Sequence, residues 1–117
     1  MGVHKQAIFE LTCDEPWFSL IKNRIKPVEG RKNSPKHQSI QVGDLIDFSN
    51  GMDQFRAIVT EIRSYTSLEE YLTDVTVAKA LPKVSSFEEA VKIYHQWSTP
   101  EEIQKYGFLG IFVEPVG

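Results

Sequence analysis

Lys26, Glu29 and Arg31 fall within the six-residue stretch KPVEGR. An amine, a carboxylate and a guanidinium this close together can serve two kinds of chemistry. In a cleft, burial disfavours the charged lysine while the carboxylate favours it, and a Lys26–Glu29 pair sharing a proton can act as a base or nucleophile. If Glu29 instead holds Lys26 and Arg31 in place, the three form a preformed pocket for an anion or a polar base, with no reaction. Arg31 then offers a planar fork to a phosphate or carbonyl oxygen. On an open surface the same charges are a solvated ion pair of little energetic worth. Binding is the favoured reading and hydrolysis the alternative, so whether the chain is an enzyme stays open.

The charge distribution bears on the choice. The chain has 117 residues and a formal net charge of −3. Residues 22–37 nevertheless carry +5, from Lys22, Arg24, Lys26, Arg31, Lys32 and Lys36 against Glu29, which leaves −8 for the remainder. An acidic chain repels polyanions in general, but a concentrated basic segment attracts a phosphate-bearing ligand locally. A solvated loop with scattered lysines accounts for the same residues. On the binding reading, Lys22, Arg24 and Lys32 join Arg31 as ligand contacts. Trp17, just ahead of the segment, is a core residue by its helical face, with one ring edge available for stacking on a base. Tyr106, beside Gly107, packs by default and is a further candidate to reach the cleft.

Other chemistries find no support in the sequence. It has no glycine-rich phosphate loop, nucleophile elbow or metalloprotease motif. The histidines, His4, His37 and His95, are far apart, and no cofactor or metal is called for. The single cysteine, Cys13, reads as a small buried hydrophobe and rules out an internal disulfide. That usage fits an intracellular, reducing compartment. No apolar run is long enough to span a membrane, and the start MGVHKQ lacks the apolar centre of a secretion signal. Gly2 hints at myristoylation, but Gln6 stands where that signal wants serine or threonine. The oligomeric state is not legible.

The elements that must hold these residues follow from pattern. Residues 6–11 read as a strand. Asp14 caps a helix whose face is Trp17, Leu20 and Ile21 and which fades near Asn23. Pro27 forces Lys26 into an extended conformation, so residues 28–31 form a strand on which Glu29 and Arg31 share a face. Residues 32–41 read as a loop, then Leu45–Phe48 and residues 54–65 as strands around an Asn50-Gly51 turn. Ser67, Ser86 and Thr99 each start a helix with glutamate three residues on. Gly107 ends the last helix, and residues 108–113 form the closing strand. Tyr94 and Trp97 read as core. Helices and strands do not alternate, which excludes a doubly wound parallel sheet. The expectation is a single α+β domain over residues 1–117, a small, mostly antiparallel β-barrel with flanking helices.

With these residues in view, the chain resembles the ASCH domain family, which is similar in fold to the RNA-binding PUA domain. The family pattern is approximately Gly-x-Lys-x-x-Glu-x-Arg, followed by Val-Gly-Asp. Lys26, Glu29 and Arg31 match its charged positions, and Val42, Gly43 and Asp44 match the second element. Arg24 stands at the glycine position and Pro27 where threonine is frequent. The segment YGFLGIFVE resembles the family's last strand. The resemblance implies a PUA-like barrel with the motif on one wall of a cleft that binds RNA or a nucleotide-like ligand. It also keeps hydrolases in view: one bacterial branch deacylates a modified cytidine with Lys, Thr and Glu, and other members are ribonucleases. In that branch threonine occupies the place of Glu29, so the deacylase activity does not carry over directly. A third reading is a protein-interaction module using the acidic helices of the second half.

Overall fold

Each strand's burial follows its side-chain alternation. In β3 (Leu45–Ser49), Ile46 and Phe48 are buried while their neighbours are half-exposed, the period of two expected of a sheet with one packed face. The computed structural model describes residues 5–117, so Gly2 and His4 lie outside the described residues. Among the described residues, β1 (Ile8–Thr12), β2 (Val28–Lys32), β3, β4 (Gln54–Tyr65) and β5 (Phe108–Pro115) form one sheet in the order β1-β3-β4-β5-β2. All neighbours are antiparallel except β1 and β3, which run parallel. The sheet curls into a half-barrel with helices on its flank, an α+β architecture. β4 is long enough to pair with β3 through its first half and β5 through its second, and a bulge between Val59 and Glu61 breaks its register. A bulge increases local twist, which is how one strand follows the curl.

Two hydrophobic clusters result. One fills the concave side, where α1 (Trp17–Lys22) packs Phe18 and Ile21 against Ile46, Phe48, Val59 and Ile111. The other lies under α3 (Leu68–Val75), α5 (Phe87–His95) and α6 (Pro100–Tyr106), centred on Tyr71, Tyr94 and Phe108. Trp17 packs against both. The three later helices begin as their sequences require. Ser67, Ser86 and Thr99 accept from the backbone N–H of Glu70, Glu89 and Glu102, and Thr99 and Glu102 complete a reciprocal capping box.

Three local expectations need correction. Asp14 is not the side-chain cap of α1: the position belongs to Pro16, and the Glu15 carboxylate accepts from the N–H and hydroxyl of Ser19 instead. Residues 32–41 are not wholly loop, because α2 (Pro35–Gln38) is a helical turn within them. A second short turn, α4 (Val77–Ala80), also went unread, since four residues are too few to show helical periodicity.

The Val-Gly-Asp element is structural. Gly43 adopts φ +95°, which favours glycine. Asp44 is fully buried, and its carboxylate accepts from the backbone N–H of Ala7 and Gln41, tying the entry of β1 to the turn before β3.

Candidate functional site

The open edges of the half-barrel, β1 and β2, do not pair, and a cavity of about 390 Å³ lies where they face each other. Its position follows from how α1 ends. Arg24 takes φ +65°, a left-handed residue after the C-cap Asn23, and turns the chain out of the helix. This is the position where the family pattern has glycine, the residue that conformation favours. Lys26 then donates its backbone N–H to Leu20 and enters β2 through Pro27.

Lys26 is almost wholly buried, with 1% of its side chain exposed. Its ammonium donates to the carbonyl of Ala80 and lies 3.8 Å from Glu29 Oε1. Ala80 ends α4, so its carbonyl has no partner within the helix and sits at the negative end of a helical dipole. Burial pushes the Lys26 amine below its ordinary range, and the neighbouring Glu29 charge opposes that shift. The other Glu29 oxygen, Oε2, accepts from Arg31 Nε at 2.8 Å and forms an ion pair with Arg31 Nη2 at 2.7 Å. Arg31 Nη2 also reaches the carbonyl of Thr12 at 2.6 Å, so this side chain bridges the two sheet edges. Glu29 and Arg31 do share a face of β2, and Lys26 is brought round to it.

Gly30 separates those two residues for a steric reason. A β-carbon there would sit 2.8 Å from Tyr71 Oη and 2.9 Å from both Tyr94 and Phe108. The bare backbone lets the aromatic cluster lie against the strand from behind. The Tyr71 and Tyr94 hydroxyls bond to each other at 3.0 Å, and burial raises the pKa of both.

Of the residues singled out from sequence, Lys26, Glu29, Arg31, Lys32 and Trp17 line the cavity, and Lys22, Arg24 and Tyr106 do not. Lys22 pairs with Asp53 at 2.9 Å in solvent. Arg24 donates to the carbonyl of Pro115. Tyr106 is half-buried at the end of α6, with Lys105 5.1 Å from its ring centroid. Lys32 reaches the cavity but is held by Glu102. Trp97, read as core, is 43% exposed and forms part of the wall, as does Tyr94 from within the core.

The cavity also contains residues that the sequence did not place at a site, among them Cys13, which is buried as its sequence context implied. Cys13 is buried at the end of β1, and burial followed by the Glu29 charge pushes its thiol up to about 12, so it stays un-ionised at neutral pH. Ser34, Lys36 and His37 come from the α2 turn. The signal for that turn was Ser34-Pro35, the same serine/threonine–proline start that marks α6. Among the described residues, no three of His, Cys, Asp or Glu come together as a metal-ligand set, and no helix is long and apolar enough to cross a membrane.

The comparisons with known proteins agree with this fold. The crystal structure of the hypothetical protein PH0355 is similar at 37% identity, with a TM-score of 0.87 over 93% of this chain and 99% of that one. The solution structure of PF0455 from Pyrococcus furiosus is similar at 35% identity, with a TM-score of 0.78 over 93% of this chain and 97% of that one. A point mutant of ZmASCH from Zymomonas mobilis shares the fold at 12% identity and a TM-score of 0.59, over 97% of this chain and 76% of that one. No curated protein sequence matches the chain. The ASCH domain family model matches residues 11–116, a span that includes the Lys26–Glu29–Arg31 motif, Val-Gly-Asp and the last strand, and the chain belongs to the ASCH domain family.

Proposed function

We propose that this ASCH domain binds a nucleotide, free or as a residue of single-stranded RNA, in the cavity between β1 and β2. The observation that carries the reading is the cavity's composition: tryptophan rings at Trp17 and Trp97, with cationic Arg31, Lys32 and Lys36 beside them. Flat aromatic faces stack on bases and cations meet phosphates, which is how single-stranded nucleic acid is held. The volume of about 390 Å³ is near the lower end of the range for small-ligand sites and suits one nucleotide rather than a duplex. Within the motif the roles divide. Arg31, with 22% of its side chain exposed, is placed to meet a ligand. Glu29 orients Arg31, and the Lys26 amine lies beneath the floor, 3.8 Å from Glu29 Oε1.

Titration of a short single-stranded RNA against the wild type and the Arg31→Ala, Lys36→Ala double variant tests this. The expected result is weaker binding, with the logarithmic salt slope reduced by about one for each phosphate contact removed. Unchanged affinity and an unchanged slope would overturn it.

One observation favours a second reading, hydrolysis of an acylated nucleoside or of RNA. Lys26 is an amine of depressed pKa beside a carboxylate, the environment of an activated nucleophile or base. Against it, the ammonium already donates to Ala80 and both Glu29 oxygens are engaged. A panel of acylated cytidines and short RNAs left intact by the purified protein would remove this reading.

A further inference from the structure

His37 is the cavity residue that neither the motif nor the proposed binding reading uses. It is 8% exposed and lines the cavity from α2. Its Nδ1 lies 2.9 Å from the backbone carbonyl of Lys32 and 3.2 Å from the Ser34 hydroxyl. A carbonyl oxygen can only accept, so Nδ1 carries the proton and donates. In the neutral ring, Nε2 must then carry the lone pair. The ring is held neutral: burial lowers its pKa, and the cations Arg31 and Lys32 of β2 and Lys36 of α2 lower it further, against the bond to the Lys32 carbonyl. Nε2 has no hydrogen-bond partner among the described residues. Nor is it sealed, because among those residues the one enclosed side-chain polar atom without a partner is Asn33 Oδ1. Nε2 is therefore an accessible, unpartnered acceptor on a residue that lines the cavity.

Its neighbours make that acceptor selective. Arg31, Lys32 and Lys36 are donors only. Glu29 is an acceptor, but Oε2 is held by Arg31 and Oε1 faces the Lys26 amine at 3.8 Å. The Asp14 carboxylate is the other carboxylate acceptor and stands exposed at the rim, while the Thr12, Ser34 and Ser98 hydroxyls can donate as well as accept and so favour neither kind of ligand group. A ligand's phosphate and carbonyl oxygens thus meet donors, and a ligand N–H pointing inward meets His37.

We infer that His37 is a specificity residue whose Nε2 accepts a hydrogen bond from a base's exocyclic amino group, so that the cavity selects amino bases over their oxo counterparts. An oxo base would set a carbonyl oxygen against the Nε2 lone pair and leave both acceptors buried without a donor, a mismatch that is costly inside a protein. This inference rests on the proposed nucleotide-binding function and names which ligand the same site takes.

The test is calorimetric titration with two matched pairs, adenosine against inosine 5′-monophosphate and cytidine against uridine 5′-monophosphate. The amino member of at least one pair is expected to bind about tenfold tighter. His37→Ala should abolish that preference, and His37→Gln should keep much of it through its amide oxygen. Equal or reversed affinities within both pairs would overturn the inference while leaving the proposed function standing. Binding of none of the four by the wild type would overturn the inference, and failure to bind short single-stranded RNA as well would overturn the proposed function with it. Imidazole ¹⁵N shifts of the wild type give a check that needs no variant to fold. Nδ1 is expected to be protonated and Nε2 not at pH 7.5, with the Nε2 resonance moving when the amino ligand is added. A protonated Nε2 in the free protein would also overturn the inference.

Discussion

Lys22 and Arg24 share a basic segment with Lys26, Arg31, Lys32 and Lys36, yet the fold uses the two groups differently. The first pair sits where α1 ends, outside the cavity, with Lys22 on Asp53 and Arg24 on the Pro115 carbonyl. Of the later four, Lys26 lies just before β2, Arg31 and Lys32 are on it and Lys36 is on α2, and all four line the cavity. Two residues of sequence, from Arg24 to Lys26, separate an exposed side chain from one with 1% exposure. The lesson is that local charge density does not define a site. The site begins where the chain leaves the helix through a left-handed residue and enters a sheet edge with an unpaired neighbour across the seam.

The sharpest way to break this contrast is to remove Glu29. Its carboxylate neutralises a buried lysine and anchors the arginine that bridges the sheet edges. Glu29→Ala leaves Lys26 as a buried cation beside Arg31, and removing one partner of a buried pair costs about 3–5 kcal/mol. Chemical denaturation should show that loss together with loss of ligand binding. Lys26→Met is the informative companion. It leaves Glu29 paired with Arg31, so it should cost far less and can stabilise the domain. If Lys26→Met were the worse of the two, the floor would be organised around the lysine and not the carboxylate.

Gly30→Ala comes next in size. The added methyl meets the Tyr71 hydroxyl and ring carbons of Tyr94 and Phe108 at under 3.0 Å, all in a packed cluster. Overpacking of this kind costs about 1–3 kcal/mol. Thermal unfolding would measure it. A neutral outcome would mean that the aromatic layer yields, and that the backs of Tyr71 and Tyr94 do not fix the cavity wall.

These residues also mark how far the sequence could be read. Glu29 and Arg31 on one face followed from strand alternation, and the three capped helices followed from hydroxyl–glutamate spacing, because both signals are local. The curl of the sheet is not local. It needs β1 parallel to β3 and β2 on the far edge, pairings set by residues 37 and 84 positions apart, such as Ile8 with Leu45 and Val28 with Phe112. His37 was missed for a related reason: its turn has four residues, and its burial depends on the seam between β1 and β2. Trp97 misled in the opposite direction. Its spacing after Tyr94 resembles a core face, but α5 ends at His95 and the ring projects beyond the helix.

The cavity group should also leave a pH signature. The folded-state pKa of His37 lies below its ordinary value of 6.5, mainly through burial. The unfolded chain therefore takes up a proton that the native chain refuses. By linkage, the stability from a neutral His37 is fully present above about pH 6.5 and is lost as pH falls toward the native pKa. The loss cannot exceed about 1.4 kcal/mol per pH unit for one group. Urea denaturation at pH 7.5 and 5.5, with His37→Gln subtracted, isolates it from the carboxylates. A His37→Gln profile parallel to the wild type would show that the imidazole is not held neutral.

The smallest effect is the one that makes the contrast exact. Lys22→Ala and Arg24→Ala each remove a cation as close in sequence to the motif as Lys36. If charge density alone drew the ligand, each would lower the salt slope of RNA binding as Arg31→Ala does. On the geometry they should not. The Lys22–Asp53 pair is roughly half-exposed on both sides, and such pairs contribute about 0–1 kcal/mol to stability. Arg24 contributes one exposed bond to the Pro115 carbonyl, against the strain of a left-handed residue with a Cβ. Both variants should therefore bind RNA with an unchanged salt slope and unfold within about 1 kcal/mol of wild type. A slope that falls by about one in either variant would extend the phosphate track beyond the cavity and along the outside of α1.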